Sequence, residues 1–155
     1  MGDKLDKLDR LILEKLQANA RITNTQLAKE IGLSPAPTLE RVKKLEQNGF
    51  ITSYHASLNT KRIGLNVAIY LQASLQGSSR DVMKSFASKI DKIQEVVECH
   101  HVTGSSDFLL KILSKDIESY NKFVLEKLID LDEIGNLQSM VVLSTLKNSK
   151  ILPII

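Results

Sequence analysis

The stretch Ile31–Ile51, IGLSPAPTLERVKKLEQNGFI, contains a tight turn, a helix and the start of an extended segment. Gly32 interrupts the preceding helical pattern. Ser34 then stands before Pro35, at the first helical position, where the missing N–H of proline costs nothing. Gly49 ends the helix as a left-handed C-terminal residue does. The spacing therefore predicts a capped helix that is entered through a glycine-containing turn.

The two sides of this helix differ in composition. At 100° per residue, mostly apolar side chains share one arc, and small or charged side chains share the opposite arc. The inner arc contains Leu39, Val42, Leu45 and Glu46, and the outer arc contains Ala36, Pro37, Glu40, Lys43 and Lys44, with Arg41 on its flank. A small, basic outer face suits a helix that lies in the major groove of DNA, so the pattern predicts a recognition helix.

Two further helices precede it. Apolar residues recur with a 3.6-residue period over Asp3–Ala20, and acidic residues load its N-terminal part. Thr23 or Asn24 can cap a second, short helix, Thr25–Ile31. Phe50–Leu58 alternates and predicts a strand pair or wing. Three helices and a short β element predict a winged helix-turn-helix domain over residues 1–58.

A different pattern begins at Val67, after a polar linker over residues 59–66, NTKRIGLN. Period-2 and period-3.6 stretches alternate in the order β-α-β-β-α-β. The strands are expected over 67–75, 95–103, 107–113 and 136–146, and the helices over 80–93 and 116–131. This order predicts a ferredoxin-like sandwich over residues 67–155, with four antiparallel strands and two helices on one face, so the fold class is α+β.

The helices would leave the other face of the sheet uncovered. Apolar side chains occupy that face: Tyr70, Val102, Leu109, Leu113, Met140 and Val142. Such a face favours a partner sheet, and a homodimer is the simplest expectation.

The charge is unevenly distributed along the chain. The net charge is +3, but residues 1–66 hold 11 Lys+Arg against 7 Asp+Glu, whereas residues 67–155 hold 10 against 11. A polyanion partner would therefore meet the N-terminal part. One cysteine, Cys99, excludes an intramolecular disulfide. No apolar run is long enough to span a membrane, and the N-terminus lacks the apolar core of a secretory signal, so we expect a cytoplasmic protein without a membrane partner.

The sequence offers little for catalysis or cofactor binding. It contains no G-x-S-x-G, no Gly-rich phosphate loop and no His-Glu metal motif. Cys99, His100 and His101 are adjacent, but no second pair of ligands stands at a zinc-like spacing. We expect no enzymatic activity, no catalytic residues, no cofactor and no metal.

Arg41 is the leading candidate for contact with double-stranded DNA, because a guanidinium can bind guanine O6 and N7 together, or a phosphate. The alternative is a salt bridge to a carboxylate such as Glu14 or Glu46. Lys44 is expected to meet a backbone phosphate. The remaining candidates lie at the starts of the second and third helices or on the outer arc: Asn24, Thr25, Gln26, Ser34, Ala36, Pro37 and Glu40. Simple capping would also explain Asn24 and Ser34, and an i,i+4 pair with Lys44 would explain Glu40.

Two segments carry a resemblance to a known family. The first is LDKLDRLILEKLQANARITNTQLAKEIGLSPAPTLERVKKLEQNGFITSYHASLN, and the second is ECHHVTGSSDFLLKI. Together they resemble the signatures of the Lrp/AsnC (feast/famine) transcription regulators, and SPAP…LERVKKLE…GFI is most similar to the leucine-responsive branch. The resemblance covers residues 5–153. It implies a prokaryotic, nucleoid-associated regulator that binds operator DNA as a dimer, assembles further, typically to octamers, and binds a small amino acid between dimers.

The resemblance also implies where the effector binds. The candidate residues lie in the turn after the second strand and on the last strand: Thr103, Gly104, Ser106, Asp107, Gln138 and Ser139. The family turn usually reads Gly-Asp-(Tyr/Phe)-Asp, whereas here two serines replace its acidic and aromatic members. In the last strand, Leu137 and Ser139 stand where the family often has Thr-x-Thr. Gly104 and Asp107 also fit a plain β-turn.

Two other functions stay open from the sequence. One is an architectural DNA-binding protein that responds to no effector. The other is an oligomeric metabolite-binding protein whose helical N-terminal part serves only in assembly.

Overall fold

A computed structural model describes residues 4–77 and 79–155, which form two compact units. The helical unit extends to Ser57 and also includes Leu146–Ile155, and the sheet unit is Leu58–Thr145. Each unit has its own apolar core. This division differs from the domain boundaries expected from sequence chiefly by grouping the last ten residues of the chain with the helices.

The helical unit contains α1 (Lys7–Ala18), α2 (Asn24–Ile31) and α3 (Pro35–Gln47). Its core is formed by one or two apolar residues from each helix: Ile12, Leu27, Ile31 and Leu45. Helix α1 begins later than its apolar period suggests, because Asp6 is the N-cap and forms a capping box with Asp9. The predicted start at Asp3 lies outside the described residues.

The inner face of α3 is rotated from its predicted position. Leu39, which was placed on the inner arc, is 43% exposed, whereas Thr38 is completely buried. Thr38, Val42 and Leu45 form an i, i+4, i+7 row that faces the core, so Leu39 lies on the flank. The Thr38 hydroxyl is satisfied in this position because it donates to the Ser34 carbonyl at 2.9 Å.

The segment Phe50–Leu58, which was expected to form a strand pair or wing, contains no strand. Residues 52–59 carry no secondary structure, and their side chains are exposed. A strand needs a second backbone to pair with, and within residues 4–77 and 79–155 this segment has none. Alternation of side chains cannot supply that partner.

The sheet unit confirms the predicted β-α-β-β-α-β order. Its strands are β1 (Val67–Leu75), β2 (Val96–His101), β3 (Phe108–Ser114) and β4 (Ile134–Val141). They form one antiparallel sheet in the order β2-β3-β1-β4. The predicted β4 reached residue 146, but pairing ends where β1 begins, since the last backbone bond runs from the Val142 N–H to the Ala68 carbonyl at 2.9 Å.

The helices of this unit are α4 (Arg80–Ile90) and α5 (Ile117–Phe123), and α5 continues as a π-helical turn over Val124–Leu128. A 3₁₀ turn, Lys61–Ile63, precedes the sheet. The core side chains come from the two helices and from one face of β1 and β3: Ile69, Leu71, Ala73, Phe86, Ile90, Phe108, Leu110, Ile112, Tyr120, Phe123 and Leu128. Alternation of the strands therefore points their remaining side chains to the opposite face, and places the β2–β3 turn beside the end of β1.

Candidate DNA-binding face and effector site

The turn between α2 and α3 is held by hydrogen bonds inside the protein. Gly32 closes α2 in the left-handed conformation, at φ 74°. Thr23 caps α2, since its hydroxyl accepts from the Gln26 N–H at 3.2 Å. Asn24 instead donates from Nδ2 to the carbonyl of Pro35 at 2.7 Å. Asn24 therefore joins the start of α2 to the first residue of α3 and sets the angle between them.

Seven of the nine DNA-binding candidates have exposed side chains: Thr25, Gln26, Ser34, Ala36, Pro37, Glu40 and Lys44. Pro37, Glu40 and Lys44 line one shallow depression of about 450 Å³, together with Arg41. Ser34 precedes α3 without a capping hydrogen bond from its side chain. The small and basic side of α3 is thus open to solvent, as its sequence pattern predicts.

Arg41 is half-buried and is engaged by α1. Its Nη1 lies 2.7 Å from Asp6 Oδ2 and 2.7 Å from Asp9 Oδ1. These two carboxylates raise the pKa of Arg41. The Asp9 N–H first, and Arg41 second, lower the pKa of Asp6. Arg41 is therefore in a salt bridge, but with carboxylates other than the Glu14 and Glu46 that its neighbourhood in sequence suggests.

The effector candidates in the β2–β3 turn are bonded to the end of β1. Gly104 has φ 122°, a conformation that favours glycine. The Asp107 N–H donates to the Ala73 carbonyl at 3.0 Å, and Asp107 Oδ2 accepts from the Leu75 N–H at 2.8 Å. The turn is closed by the Val102 N–H, which donates to the Asp107 carbonyl at 2.9 Å. One carboxylate oxygen of Asp107 is thus already used to hold the turn on β1.

The two β4 candidates lie on opposite faces of the sheet. Gln138 is paired with Gln72 of β1, whose Oε1 accepts from the Ser106 hydroxyl at 3.4 Å. Ser139 faces the helices, and its hydroxyl is 2.5 Å from the Tyr120 hydroxyl. The structure therefore brings Ser106 and Gln138 together around Gln72 and separates Ser139 from them.

Gln72 and Tyr120 are the polar groups of this region that sequence reasoning missed. The signal for Gln72 was available, because it is a polar residue between Tyr70 and Ser74 on one face of a largely apolar strand. Tyr120 gives no such signal, because the helical period places it on the inward side of its helix, where its ring alone would explain it.

The Cys99–His101 stretch lies on β2 at the edge of the sheet. Cys99 is exposed, and its thiol pKa is raised by desolvation. The His101 ring lies 5.2 Å from the Phe108 ring. Among the described residues, no group of three or more His, Cys, Asp or Glu side chains is placed to hold a metal ion. In that same part of the chain, no helix is long and apolar enough to cross a membrane.

Comparison with known proteins identifies both units. A family model described as winged helix-turn-helix DNA-binding matches residues 5–52, and one described as Lrp/AsnC ligand binding domain matches residues 68–152. The leucine-responsive regulatory protein of Escherichia coli strain K12 is 39% identical over 148 residues, which cover 96% of this chain and 90% of the relative.

Solved structures agree with the observed fold. A transcriptional regulator of Neisseria meningitidis in complex with L-Met has a TM-score of 0.92 and 35% identity, and 97% of each chain is covered. AsnC of E. coli has a TM-score of 0.85 and 31% identity, with 99% of each chain covered. These relatives are transcription regulators and not enzymes. They confirm the prediction of a DNA-binding regulator and the prediction that the chain is not an enzyme. The chain belongs to the Lrp/AsnC family and is a transcription regulator with an N-terminal winged helix-turn-helix DNA-binding domain and a C-terminal ligand-binding domain.

Proposed function

We propose that this regulator reads double-stranded DNA with the outer face of α3 and is modulated by a small amino acid bound beside the β2–β3 turn. The observation that carries the proposal is the exposed side of α3, where Pro37, Glu40 and Lys44 border one depression. Family membership supports both halves, since the two matched domains are a DNA-binding and a ligand-binding domain.

Each exposed residue has a role that follows from its chemistry. Ala36 and Pro37 are small, so the first turn of α3 can approach base edges closely. Glu40 can accept from cytosine N4, and Lys44 neutralises a phosphate. Thr25 and Gln26 stand in the first turn of α2, where their exposed side chains can donate to a phosphate.

The DNA contact is tested by fluorescence anisotropy on duplexes selected by the protein from a random pool, with scrambled duplexes for comparison. Lys44→Ala is expected to lower the slope of log K against log salt by about 1, because one phosphate contact is lost. Lys84→Ala, at an exposed lysine of α4, is the matched control and should leave the slope unchanged. Equal affinity of the unmodified protein for selected and scrambled duplexes would refute sequence-specific binding.

The effector site that we propose is centred on Ser106, Asp107 and Gln138, with Thr103 and Gly104 at the turn. Asp107 Oδ1 is the carboxylate oxygen that can accept from the ammonium group of an amino acid, since Oδ2 accepts from Leu75. Ser139 would act through Tyr120, to which it is bonded. The complex of the N. meningitidis relative with L-Met supports an amino acid as the class of effector.

The effector is tested by thermal-shift measurements with each of the twenty amino acids, followed by calorimetry. A ligand at 100 times its Kd stabilises the protein by about 2.7 kcal/mol, which is a readily measured rise in Tm. If none of the twenty stabilises the protein, the effector-independent architectural regulator replaces this half of the proposal.

We further propose that the sheet unit forms a homodimer, which assembles to an octamer, through the face opposite the helices. Tyr70, Leu109 and Leu113 lie half-buried on that face, and Met140 is 39% exposed there. Leu109→Lys should lower the mass measured by light scattering by at least half if this face joins two copies, and an unchanged mass would refute it. Because a DNA-binding regulator needs access to DNA, we propose that the protein works in the cytoplasm, on the nucleoid.

A further inference from the structure

The capping box of α1 has a third member, on another helix. In the box itself, Asp6 Oδ1 accepts from the Asp9 N–H at 2.8 Å, and Asp9 Oδ2 accepts from the Asp6 N–H at 3.2 Å. The two remaining oxygens, Asp6 Oδ2 and Asp9 Oδ1, both accept from Arg41 Nη1. All four carboxylate oxygens of the box are therefore occupied, and Arg41 closes it from the side of α3.

We propose that Arg41 is a positioning residue, which holds the recognition helix on the N-terminus of α1 and does not itself read bases. The inference rests on the proposed DNA contact through the outer face of α3. It reassigns the residue that the sequence made the leading candidate for base contact, and it gives Asp6 and Asp9 a part in DNA recognition.

The position of Arg41 along α3 explains why its ion pair with the N-terminus of α1 is useful. Leu45 packs with Ile12 in the core and fixes the C-terminal half of α3 on α1. Arg41 lies one turn nearer to the N-terminal half, which carries Ala36 and Pro37. Arg41 adds an ion pair with α1 at this turn to the core contacts of Val42 and Leu45. The angle at which α3 would enter the groove thus depends on the core contacts and on this ion pair.

The local charge also argues against direct contact between Arg41 and DNA. Two carboxylates surround one guanidinium, so the charge of Arg41 is already neutralised inside the protein. To reach a base, Arg41 would have to leave both carboxylates at the first turn of α1. Those carboxylates are themselves held in place, because each caps a backbone N–H there.

The two roles of Arg41 predict opposite effects when its partners are neutralised. The double variant Asp6→Asn, Asp9→Asn keeps the capping oxygens but removes both charges. If Arg41 reads bases, the change frees it, and the ratio of affinities for selected and scrambled duplexes rises. If Arg41 instead positions α3, that ratio falls by about tenfold, as it does after the loss of one base contact. Glu14→Gln, which removes a charge from an exposed position of α1, is the control for general electrostatics.

Two variants of Arg41 complete the test. Arg41→Ala should lower the affinity ratio while the salt slope stays unchanged, since no phosphate contact is lost. Arg41→Lys should keep most of the ratio, because an ammonium can bridge two carboxylates but lacks the planar pair of donors with which a guanidinium binds guanine. A rise in the ratio for the double Asn variant, a slope reduced by about 1 for Arg41→Ala, or a ratio lost in Arg41→Lys would each overturn the proposal.

A structural readout separates this inference from the proposed function. Hydrogen exchange on the full chain should show lower protection in the first turn of α1 for Arg41→Ala, and unchanged protection for Lys44→Ala. If Lys44→Ala leaves the salt slope unchanged, the DNA contact itself is misplaced. If the salt slope of Lys44→Ala falls as expected but the double Asn variant raises the affinity ratio, only the positioning role of Arg41 is refuted.

Discussion

The two candidate binding regions differ in how far the protein already uses their polar groups. On α2 and α3, the polar side chains of Thr25, Glu40 and Lys44 are exposed, whereas those of Asn24 and Arg41 are engaged by the protein. In the β2–β3 turn, by contrast, Ser106 and Asp107 hold β1 through hydrogen bonds. A surface that reads DNA can keep its side chains in solvent until the duplex arrives. The β2–β3 turn, in contrast, is hydrogen-bonded to the sheet. A substitution there should therefore alter the stability of the sheet unit as well as any binding of a ligand.

The largest losses of stability are expected from substitutions in the apolar core of each unit. Ile12→Ala removes a completely buried side chain from the helical unit, and Phe86→Ala does so in the sheet unit. We expect losses of about 2–5 and about 3–5 kcal/mol in the free energy of unfolding, respectively. Because each unit has its own core, hydrogen exchange should report the first loss in α2 and α3 and the second in β1 and β3. Loss of protection throughout the chain from either variant would contradict this separation.

The sheet unit was more predictable from sequence than its binding turn. Its order of elements follows from two periodicities, and Ile69, Leu71 and Ala73 are buried as the alternation predicts. The turn depends on contacts across strands: Asp107 bonds to Leu75, 32 residues away in sequence. A sequence pattern places a turn, but it does not say which backbone groups the turn will hold.

The helical unit shows the same boundary between local and distant information. The glycine turn and the exposed side of α3 are local, and both were predicted. The partners of Arg41 are Asp9 and Asp6, which precede it by 32 and 35 residues, so nothing in the α3 pattern singled them out. The strand pair or wing expected at Phe50–Leu58 contains no strand, because alternation of side chains does not supply the paired backbone that a strand needs.

Asp107→Ala is expected to give the next largest effect, and it tests the difference in stability role between the β2–β3 turn and the outer face of α3. The Leu75 N–H loses its acceptor in a half-buried place, which costs about 1–3 kcal/mol of stability. Asp107→Asn keeps an acceptor oxygen and should restore most of that loss, but not binding of an amino acid, which needs the charge. Lys44→Ala should change stability by less than about 0.5 kcal/mol. Equal destabilisation by Asp107→Ala and Lys44→Ala, measured by urea unfolding, would remove the contrast between the regions.

Acid should weaken the sheet unit through Glu133. The ion pair with Lys89, followed by the Ser85 hydroxyl, lowers the pKa of Glu133 to about 2. A depressed pKa means that this carboxylate stabilises the fold above the unfolded value of about 4.5, and that the contribution is lost as pH falls from there through about 2. The Tm of Glu133→Gln should therefore fall less than that of the unchanged protein between pH 6 and pH 3. Parallel Tm curves would show that the pair with Lys89 contributes nothing.

The smallest effect is expected in the C-terminal tail, Leu146–Ile155, which is grouped with the helical unit. Gln17 of α1 holds both backbone groups of Leu152: its Oε1 accepts from the Leu152 N–H at 2.7 Å, and its Nε2 donates to the carbonyl at 3.2 Å. Gln17→Ala should leave the Tm within about a degree, because an exposed site away from the core contributes little to global stability.

The local consequence of Gln17→Ala should be larger than the global one. The Leu152 N–H should exchange faster by about fivefold or more, since loss of a typical hydrogen bond lowers local protection by about 1 kcal/mol. Gln47→Ala, at the exposed end of α3, is the control and should not alter that exchange. If exchange at Leu152 is the same in both variants, the tail is held by its apolar side chains alone, which line a groove of about 670 Å³ with α1.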